Sequence, residues 1–168
     1  MALGIDLLHV DELARLLTRP WFRAYAYAPE ELAVADSLGA GRAREFLAGR
    51  FAAKEAVVKA LGTGARAGVV PRQVAVLRTA GGAPRVRLSG AAARRAEHLG
   101  LRDITVSITH KRGLVVAAAV GVPGDEPGAA TVAGLIADAL DRRDRDTAPG
   151  EERQEQHTPV RQFTTEGA

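Results

Sequence analysis

Apolar residues recur three and four positions apart along several segments of the chain, and this spacing predicts α-helices. The longest such segment spans residues 42–61 and ends at Gly62-Thr63-Gly64, which stops a helix. Shorter helices are predicted at residues 10–18, directly after Pro29, and at residues 90–99. One long helix accompanied by shorter ones is therefore expected.

Other apolar runs are short and bounded by turn residues, which is the pattern of β-strands. They cover residues 3–10, 74–78, 85–88, 104–108 and 114–120. Gly81-Gly82-Ala83-Pro84 joins the second run to the third, and a tight turn at residues 111–113 joins the last two. Strands that follow one another as hairpins form antiparallel sheets. The pattern predicts an α+β fold in which an antiparallel sheet packs against the long helix and the shorter helices.

A Pro- and Gly-rich acidic stretch at residues 121–128 ends this pattern. We therefore expect one folded domain at residues 1–122 and an acidic tail at residues 123–168. Within the tail, residues 131–142 have helical spacing, and the polar remainder is expected to be disordered. The charge also changes there, since residues 1–122 carry 18 Lys/Arg and 10 Asp/Glu, whereas residues 123–168 carry 5 and 10.

Composition narrows the class of protein. The chain has no cysteine, so neither disulfides nor thiolate metal sites are expected. The N-terminus becomes acidic too early for a signal peptide, and no apolar run reaches the roughly 18 residues of a membrane span. These features predict a cytoplasmic protein without a membrane partner. The basic domain favours polyanionic partners such as phosphorylated cofactors, acidic proteins or nucleic acid. A nucleic-acid-binding module is disfavoured because aromatic residues form only 4% of the chain.

Glu55 and Lys59 stand out on the long helix. Its apolar residues form one face opposite Glu55, yet Leu47, Phe51 and Val58 lie close to Glu55 on the other side. A helix covered on both sides keeps these charges out of bulk water, and a buried charge requires an ion pair or a metal. The alternative is an ordinary surface pair of opposite charges four positions apart.

Asp6 interrupts the apolar strand near the N-terminus, where a carboxylate needs a partner. The preceding Gly4 allows another backbone to approach closely. N-capping of the next helix is the competing explanation, although Asp11 is at least as well placed for that role. Asp6 and Glu55, next to Lys59 and Arg50, would form a site for magnesium and phosphate, because magnesium is held by one or two carboxylates, waters and substrate phosphates.

Three separated segments resemble the signature of the 4′-phosphopantetheinyl transferases, most closely the small holo-acyl-carrier-protein synthase branch. The first is Gly4-Ile5-Asp6. The second is Arg50-Phe51-Ala52-Ala53-Lys54-Glu55-Ala56-Val57-Val58-Lys59-Ala60-Leu61-Gly62-Thr63-Gly64. The third is Ser107-Ile108-Thr109-His110, and the Gly82-Ala83-Pro84 turn fits the same branch. The resemblance spans residues 3 to 121.

This resemblance implies a reaction. The enzyme would transfer the 4′-phosphopantetheine group of coenzyme A to a serine of an apo acyl carrier protein, with Mg²⁺, and release adenosine 3′,5′-bisphosphate. Asp6 and Glu55 are implied to hold the magnesium, and Lys59 to neutralise or protonate the leaving group. The implied coenzyme A contacts are Arg50, Lys54, Gly62 and His110. The resemblance also implies a homotrimer with active sites between protomers.

His110 has a competing interpretation from the residues alone. It continues the apolar alternation of Ile104, Val106 and Ile108, which would equally suit a half-buried structural histidine.

Two positions depart from the pattern of the branch. Glu12 stands where the branch usually carries an arginine implicated in docking the acidic carrier protein, and Arg15 lies one turn further along. Tyr25 begins a segment, Tyr25-Ala26-Tyr27-Ala28-Pro29, that also differs. We therefore expect a carrier protein other than that of fatty acid synthesis. A catalytically inactive homologue acting as an assembly subunit is the alternative, which the retained Asp6, Glu55 and Lys59 disfavour.

Overall fold

The computed structural model describes residues 1–64 and 68–124. The first half of the chain contains β1 (Ala2–His9), a 3₁₀ turn (Val10–Leu13), α1 (Ala14–Leu17), α2 (Pro20–Ala26), α3 (Pro29–Asp36) and α4 (Ala40–Ala60). The second half contains a 3₁₀ turn (Pro71–Gln73), β2 (Val74–Arg78), β3 (Pro84–Leu88), α5 (Gly90–His98), β4 (Leu101–Lys111) and β5 (Leu114–Pro123).

The strands form antiparallel sheets, as predicted. β5 lies between β1 and β4 in a three-stranded sheet, and β2 pairs with β3 in a separate hairpin. The α+β prediction is confirmed, with two sheets in place of the single one expected. Antiparallel pairing with β5 holds β1, which carries Asp6, at one edge of the larger sheet.

The long helix α4 is the centre of the core. It contacts all three strands of the larger sheet, and α3, β2 and the second 3₁₀ turn also pack on it. Small residues dominate its sequence, so neighbouring backbones approach closely. A Cβ atom added to Gly4 of β1 would lie 1.9 Å from the carbonyl oxygen of Ala56, which confirms the close approach expected at this glycine.

The outer face of the larger sheet is apolar and exposed in the single chain. Leu3, Ile5 and Leu7 are 60%, 54% and 59% exposed. Their partners across the β1–β5 ladder are Val120, Ala118 and Val116. Patches of this kind mark surfaces that bind another protein or another copy of the chain.

The helical segment predicted at residues 10–18 differs from the structure. It divides into the first 3₁₀ turn and α1, and a further helix, α2, begins at Pro20. Arg19 has the extended backbone that a following proline imposes, and Pro20 then occupies the first turn of α2, where its missing N–H costs nothing. The other predicted helices and strands are present, with ends that differ by a few residues.

The predicted tail helix at residues 131–142 lies outside the described residues. β5 extends to Pro123, one residue past the predicted domain boundary. Over residues 1–64 and 68–124, no helix combines the length and apolar character needed to cross a membrane.

Candidate active site

Asp6 lies on the inner face of the larger sheet, where β1 packs against α4. The ladders place it in one row with Ala117 and Ile108. Its side chain is only 14% exposed, so the carboxylate is largely shielded from water. The cap of the following 3₁₀ turn is made by other residues, since the Glu12 carboxylate accepts the backbone N–H of His9 at 2.6 Å. Asp6 is therefore not a helix cap, and Asp11 does not fill that role either.

Lys59 of α4 reaches across to β1. Its Nζ donates to Asp6 Oδ1 at 2.8 Å and to the carbonyl oxygen of Ile5 at 2.9 Å. Lys59 thus pairs with Asp6 rather than with Glu55, four positions earlier on the helix. The ordinary surface pair considered from the sequence is not what the structure contains.

Glu55 completes this cluster of two carboxylates and one ammonium. Burial raises the pKa of its carboxyl above the usual range, the negative charge of Asp6 raises it further, and the positive charge of Lys59 opposes the shift. The structure thus brings together the three residues predicted to form the catalytic site. Within the described part of the chain no group of three or more His, Cys, Asp or Glu residues gathers as metal ligands. Two carboxylates suit magnesium, which completes its coordination with waters and substrate phosphates.

A basic cavity of about 620 Å³ is lined mainly by residues of α4, the β2–β3 hairpin and β4. Four of its lining residues bear basic side chains: Arg42, Arg50, Arg78 and His110. Gly82 and Pro84 at the β2–β3 turn form part of its wall, and one acidic residue, Glu45, together with Ser107 and several apolar residues, completes it. Such a mixture suits a ligand that has both phosphate groups and an apolar or aromatic portion.

Arg50 is the most unusual of these residues. It is only 5% exposed, its guanidinium lies 4.3 Å from the ring centre of Phe46, and its Nε has no hydrogen-bond partner within the described residues. Burial lowers the pKa of this guanidinium, the nearby charge of Arg78 lowers it further, and Glu31 opposes the shift. A buried cation with an unused donor beside a cavity is well suited to bind an anion.

Lys54 occupies a different environment from the one expected. Its Nζ is completely buried, 2.7 Å from Glu31 Oε2, and it also donates to the carbonyl oxygens of Pro71 and Val74. All three donors are thus directed into the core. The expectation that Lys54 contacts coenzyme A has to be corrected, because its side chain holds α3, the second 3₁₀ turn and β2 against α4.

Gly62 and His110 remain at the surface. Gly62 follows the last turn of α4 with a φ of +65°, a conformation that favours glycine, and it does not line the basic cavity. Its neighbour Leu61 offers a carbonyl oxygen to Arg95 Nε at 3.0 Å. His110 is exposed at the edge of the basic cavity, so it is not the half-buried structural histidine that its strand position also suggested.

Sequence reasoning missed two features of the site region. Arg42 and Arg78 line the cavity, and only their proximity in sequence to Phe46 and to the Gly81-Gly82 turn could have suggested this. The other feature is the buried Glu31. Its carboxylate accepts a hydrogen bond from the backbone N–H of the N-cap residue Ala28 at 2.8 Å. A glutamate three residues after an N-cap is typical of such a bond, and this position was the only signal in the sequence.

The carboxylate cluster and the basic cavity are separate in a single chain. Asp6, Glu55 and Lys59 do not line the basic cavity, and the residues of that cavity do not contact the cluster through any described hydrogen bond or ion pair. Arg50, which was expected beside Asp6 and Glu55, instead lines the basic cavity, where the neighbouring charges are those of Arg78 and Glu31.

Comparison with known proteins identifies relatives of this architecture. Residues 2–119 match the 4′-phosphopantetheinyl transferase superfamily. A holo-[acyl-carrier-protein] synthase of Desulfovibrio desulfuricans is 41% identical over 122 residues, which cover 71% of this chain and 95% of the relative. The crystal structure of the corresponding synthase from Neisseria meningitidis is similar with a TM-score of 0.65 at 30% identity, over 72% of this chain and 97% of the other.

A synthase from Bacillus anthracis in complex with CoA (3′,5′-ADP) is also similar, with a TM-score of 0.62 and 30% identity over 73% of this chain and 96% of the other. The predicted family is therefore confirmed by sequence and by structure. The chain belongs to the 4′-phosphopantetheinyl transferase superfamily, as an enzyme of the holo-acyl-carrier-protein synthase type.

Proposed function

We propose that this enzyme transfers the 4′-phosphopantetheine group of coenzyme A to a serine of an apo acyl carrier protein, with Mg²⁺ bound by Asp6 and Glu55. The observation that carries the proposal is the cluster of Asp6, Glu55 and Lys59 between β1 and α4. Two close carboxylates beside an ammonium suit a site that receives a divalent cation and a pyrophosphate.

The chemistry requires alignment and neutralisation of charge. The serine oxygen attacks the β-phosphorus of coenzyme A, the bond from that phosphorus to the bridging oxygen breaks, and adenosine 3′,5′-bisphosphate leaves with the bridging oxygen. Magnesium held by Asp6 and Glu55 would supply positive charge to the pyrophosphate. Lys59 adds a further positive charge for the leaving oxygen. The serine proton passes to a carboxylate of the cluster or to water.

Coenzyme A is proposed to bind in the basic cavity. Arg50, Arg78 and His110 are the residues placed to meet its phosphates, and Phe46 offers an aromatic surface nearby. The similar synthase from Bacillus anthracis was crystallised with CoA (3′,5′-ADP), which supports this ligand. Gly62 stays a proposed contact because it lies next to Lys59 and Leu61 at the end of α4.

A homotrimer with active sites between protomers would unite the two regions. The exposed apolar face of Leu3, Ile5 and Leu7 supports such an assembly, because a water-exposed patch of this kind is costly in an isolated chain. The separation of the basic cavity from the carboxylate cluster points the same way. We propose that one chain supplies the cavity and its neighbour supplies Asp6, Glu55 and Lys59.

The carrier protein is proposed to differ from that of fatty acid synthesis. Glu12 accepts a hydrogen bond from the backbone N–H of His9, and as an acidic residue it offers no positive charge to an acidic carrier. Trp21 and Tyr25, four positions apart on α2, are 63% and 43% exposed and offer aromatic surface instead. Arg15 remains exposed on α1.

We place the reaction in the cytoplasm, in keeping with the cysteine-free sequence.

Mass spectrometry tests the proposal directly. The protein is incubated with apo carrier proteins, coenzyme A and MgCl₂, and the carriers are examined for the addition of one phosphopantetheine. We expect modification of at least one carrier, faster than that of the fatty acid synthesis carrier. Absence of modification from every carrier, under conditions in which a known transferase modifies them, would reject the proposed function. Equal rates for all carriers would reject only the proposal about carrier choice.

A further inference from the structure

Lys59 occupies the position from which a cation neutralises Asp6. Its Nζ makes two bonds to β1, at 2.8 Å to the Asp6 carboxylate and at 2.9 Å to the carbonyl oxygen of Ile5. The Asp6 side chain is 14% exposed and the Lys59 side chain 51% exposed. The carboxylate is thus fixed and shielded, whereas the lysine can withdraw towards solvent without crossing the core.

The two carboxylates would repel each other without a cation beside them. Glu55 lies one helical turn before Lys59 on α4, so the Glu55 carboxylate and the Lys59 ammonium lie on the same side of the helix, and that ammonium is 2.8 Å from Asp6. Within residues 1–64 and 68–124, the cation paired with Asp6 is Lys59, and no other cation forms an ion pair with Asp6 or Glu55. Lys59 is therefore the described cation that compensates the two carboxylates.

We propose that Lys59 is the built-in counter-ion of the metal site: it stabilises the carboxylates of Asp6 and Glu55 while no metal is bound, and it competes with the metal for Asp6. This inference rests on the proposed function, because it takes these two carboxylates as the magnesium ligands. It adds a role to Lys59 that precedes coenzyme A binding. A lysine that acts only on the leaving group would leave the metal-free protein and its metal affinity unchanged.

Opposite effects on two measurements follow from this role. Replacing Lys59 with methionine removes the positive charge, so the unbound carboxylates repel each other and the protein without metal is less stable. The same change removes a positive charge next to the metal and a competitor for Asp6, so magnesium binds more tightly. Because Lys59 is half exposed and partly screened, we expect a modest gain in affinity, about threefold to tenfold.

Thermal unfolding in EDTA and in MgCl₂ tests the proposal. The proteins are wild type, Lys59→Met, the charge-retaining Lys59→Arg, and the control Lys111→Met, which removes an exposed lysine of β4 far along the chain from the cluster. In EDTA we expect Lys59→Met to melt a few degrees below wild type. Added MgCl₂ should raise its melting temperature by more than it raises that of wild type. Lys59→Arg and Lys111→Met should both respond as wild type does.

A magnesium-induced shift in Lys59→Met that equals or falls below that of wild type would overturn the proposal. Lys59→Gln is measured alongside, so that poor folding of one variant does not decide the result. The transfer assay on the wild-type protein distinguishes a failure of the counter-ion role from a failure of the proposed function. Transfer with equal magnesium shifts retains the proposed function and rejects the counter-ion role, whereas no transfer to any carrier rejects the proposed function itself.

Discussion

Replacement of Lys54 with methionine tests whether the lysine before Glu55 is structural. The Nζ of Lys54 has three partners in the core, namely Glu31 and the carbonyl oxygens of Pro71 and Val74. The Glu31 carboxylate also accepts the backbone N–H groups of Ala28 and Val76, at 2.8 Å and 2.9 Å. This ion pair therefore connects three segments, α3, the second 3₁₀ turn and β2, to α4.

The expected cost is large because both side chains of the pair are completely buried, at 0% exposure each. Methionine fills a similar volume, so the loss is electrostatic rather than a cavity. It leaves a buried carboxylate without its cation and removes the lysine donor from the carbonyl oxygens of Pro71 and Val74. Breaking a buried pair by removing one partner costs about 3–5 kcal/mol. For a domain of this size that corresponds to a fall in melting temperature of roughly 10 °C or more.

Urea unfolding followed by circular dichroism measures this loss, and the KM for coenzyme A is determined on the folded variant at low temperature. We expect a free energy of unfolding about 3–5 kcal/mol below that of wild type with the KM for coenzyme A changed less than about twofold. The double variant Glu31→Gln with Lys54→Met should lose less than the sum of the single variants, because it leaves no uncompensated charge. A stable Lys54→Met protein with a strongly raised KM would refute this reasoning and restore Lys54 as a coenzyme A contact.

Three further predictions concern other parts of the site. Gly4→Ala should lower stability by at least about 1–3 kcal/mol in thermal unfolding, because the added Cβ meets the Ala56 carbonyl oxygen at 1.9 Å. The control Gly41→Ala, with nothing within 4 Å, should be neutral or stabilising. The pKa of Glu55 is raised in the folded protein, so folding favours the protonated carboxyl. The contribution of Glu55 to the free energy of unfolding is therefore complete below its unfolded pKa of about 4.5 and is lost as the pH rises through the higher folded pKa. Urea titrations of the metal-free Glu55→Gln protein over a series of pH values should therefore lack this loss of stability. If the variant loses stability over the same pH range as wild type, the loss does not come from Glu55. Arg50→Gln should raise the KM for coenzyme A about tenfold, because Arg50 lines the basic cavity. The control Arg44→Gln, at an exposed position of the same helix, should leave the KM unchanged. Equal KM values for the two variants would count against the basic cavity as the coenzyme A site.

The fold could be predicted from the sequence where local patterns agree with tertiary packing. α4 is long, rich in small residues and closed by glycines, so its limits were predicted within two residues. The strands were found because each is a short apolar run between turn residues. α2 was missed because its two buried residues, Phe22 and Ala26, are too few to produce a clear period, and because Pro20 looks like the end of a helix as readily as its beginning.

The site was predictable in part for a related reason. Asp6 and Glu55 were conspicuous as charges in apolar surroundings, and the structure places them near each other with Lys59 between β1 and α4. Lys54, like Glu55, is a charged residue among apolar neighbours on α4. Its partner Glu31 lies on α3, and the spacing of residues along α4 gives no information about which residue of α3 lies beside it. Which buried charge is structural and which is catalytic depends on contacts between distant segments.

The most direct test of the central claim compares Asp6→Asn with Asp11→Asn in the transfer assay. Both changes remove one carboxylate near the N-terminus, but Asp6 is paired with Lys59 inside the cluster, whereas the Asp11 side chain is 76% exposed. We expect Asp6→Asn, still folded by circular dichroism, to lose transfer of phosphopantetheine by at least about a hundredfold, whereas Asp11→Asn retains it. Wild-type rates in a folded Asp6→Asn protein would contradict the claim that this cluster carries the reaction.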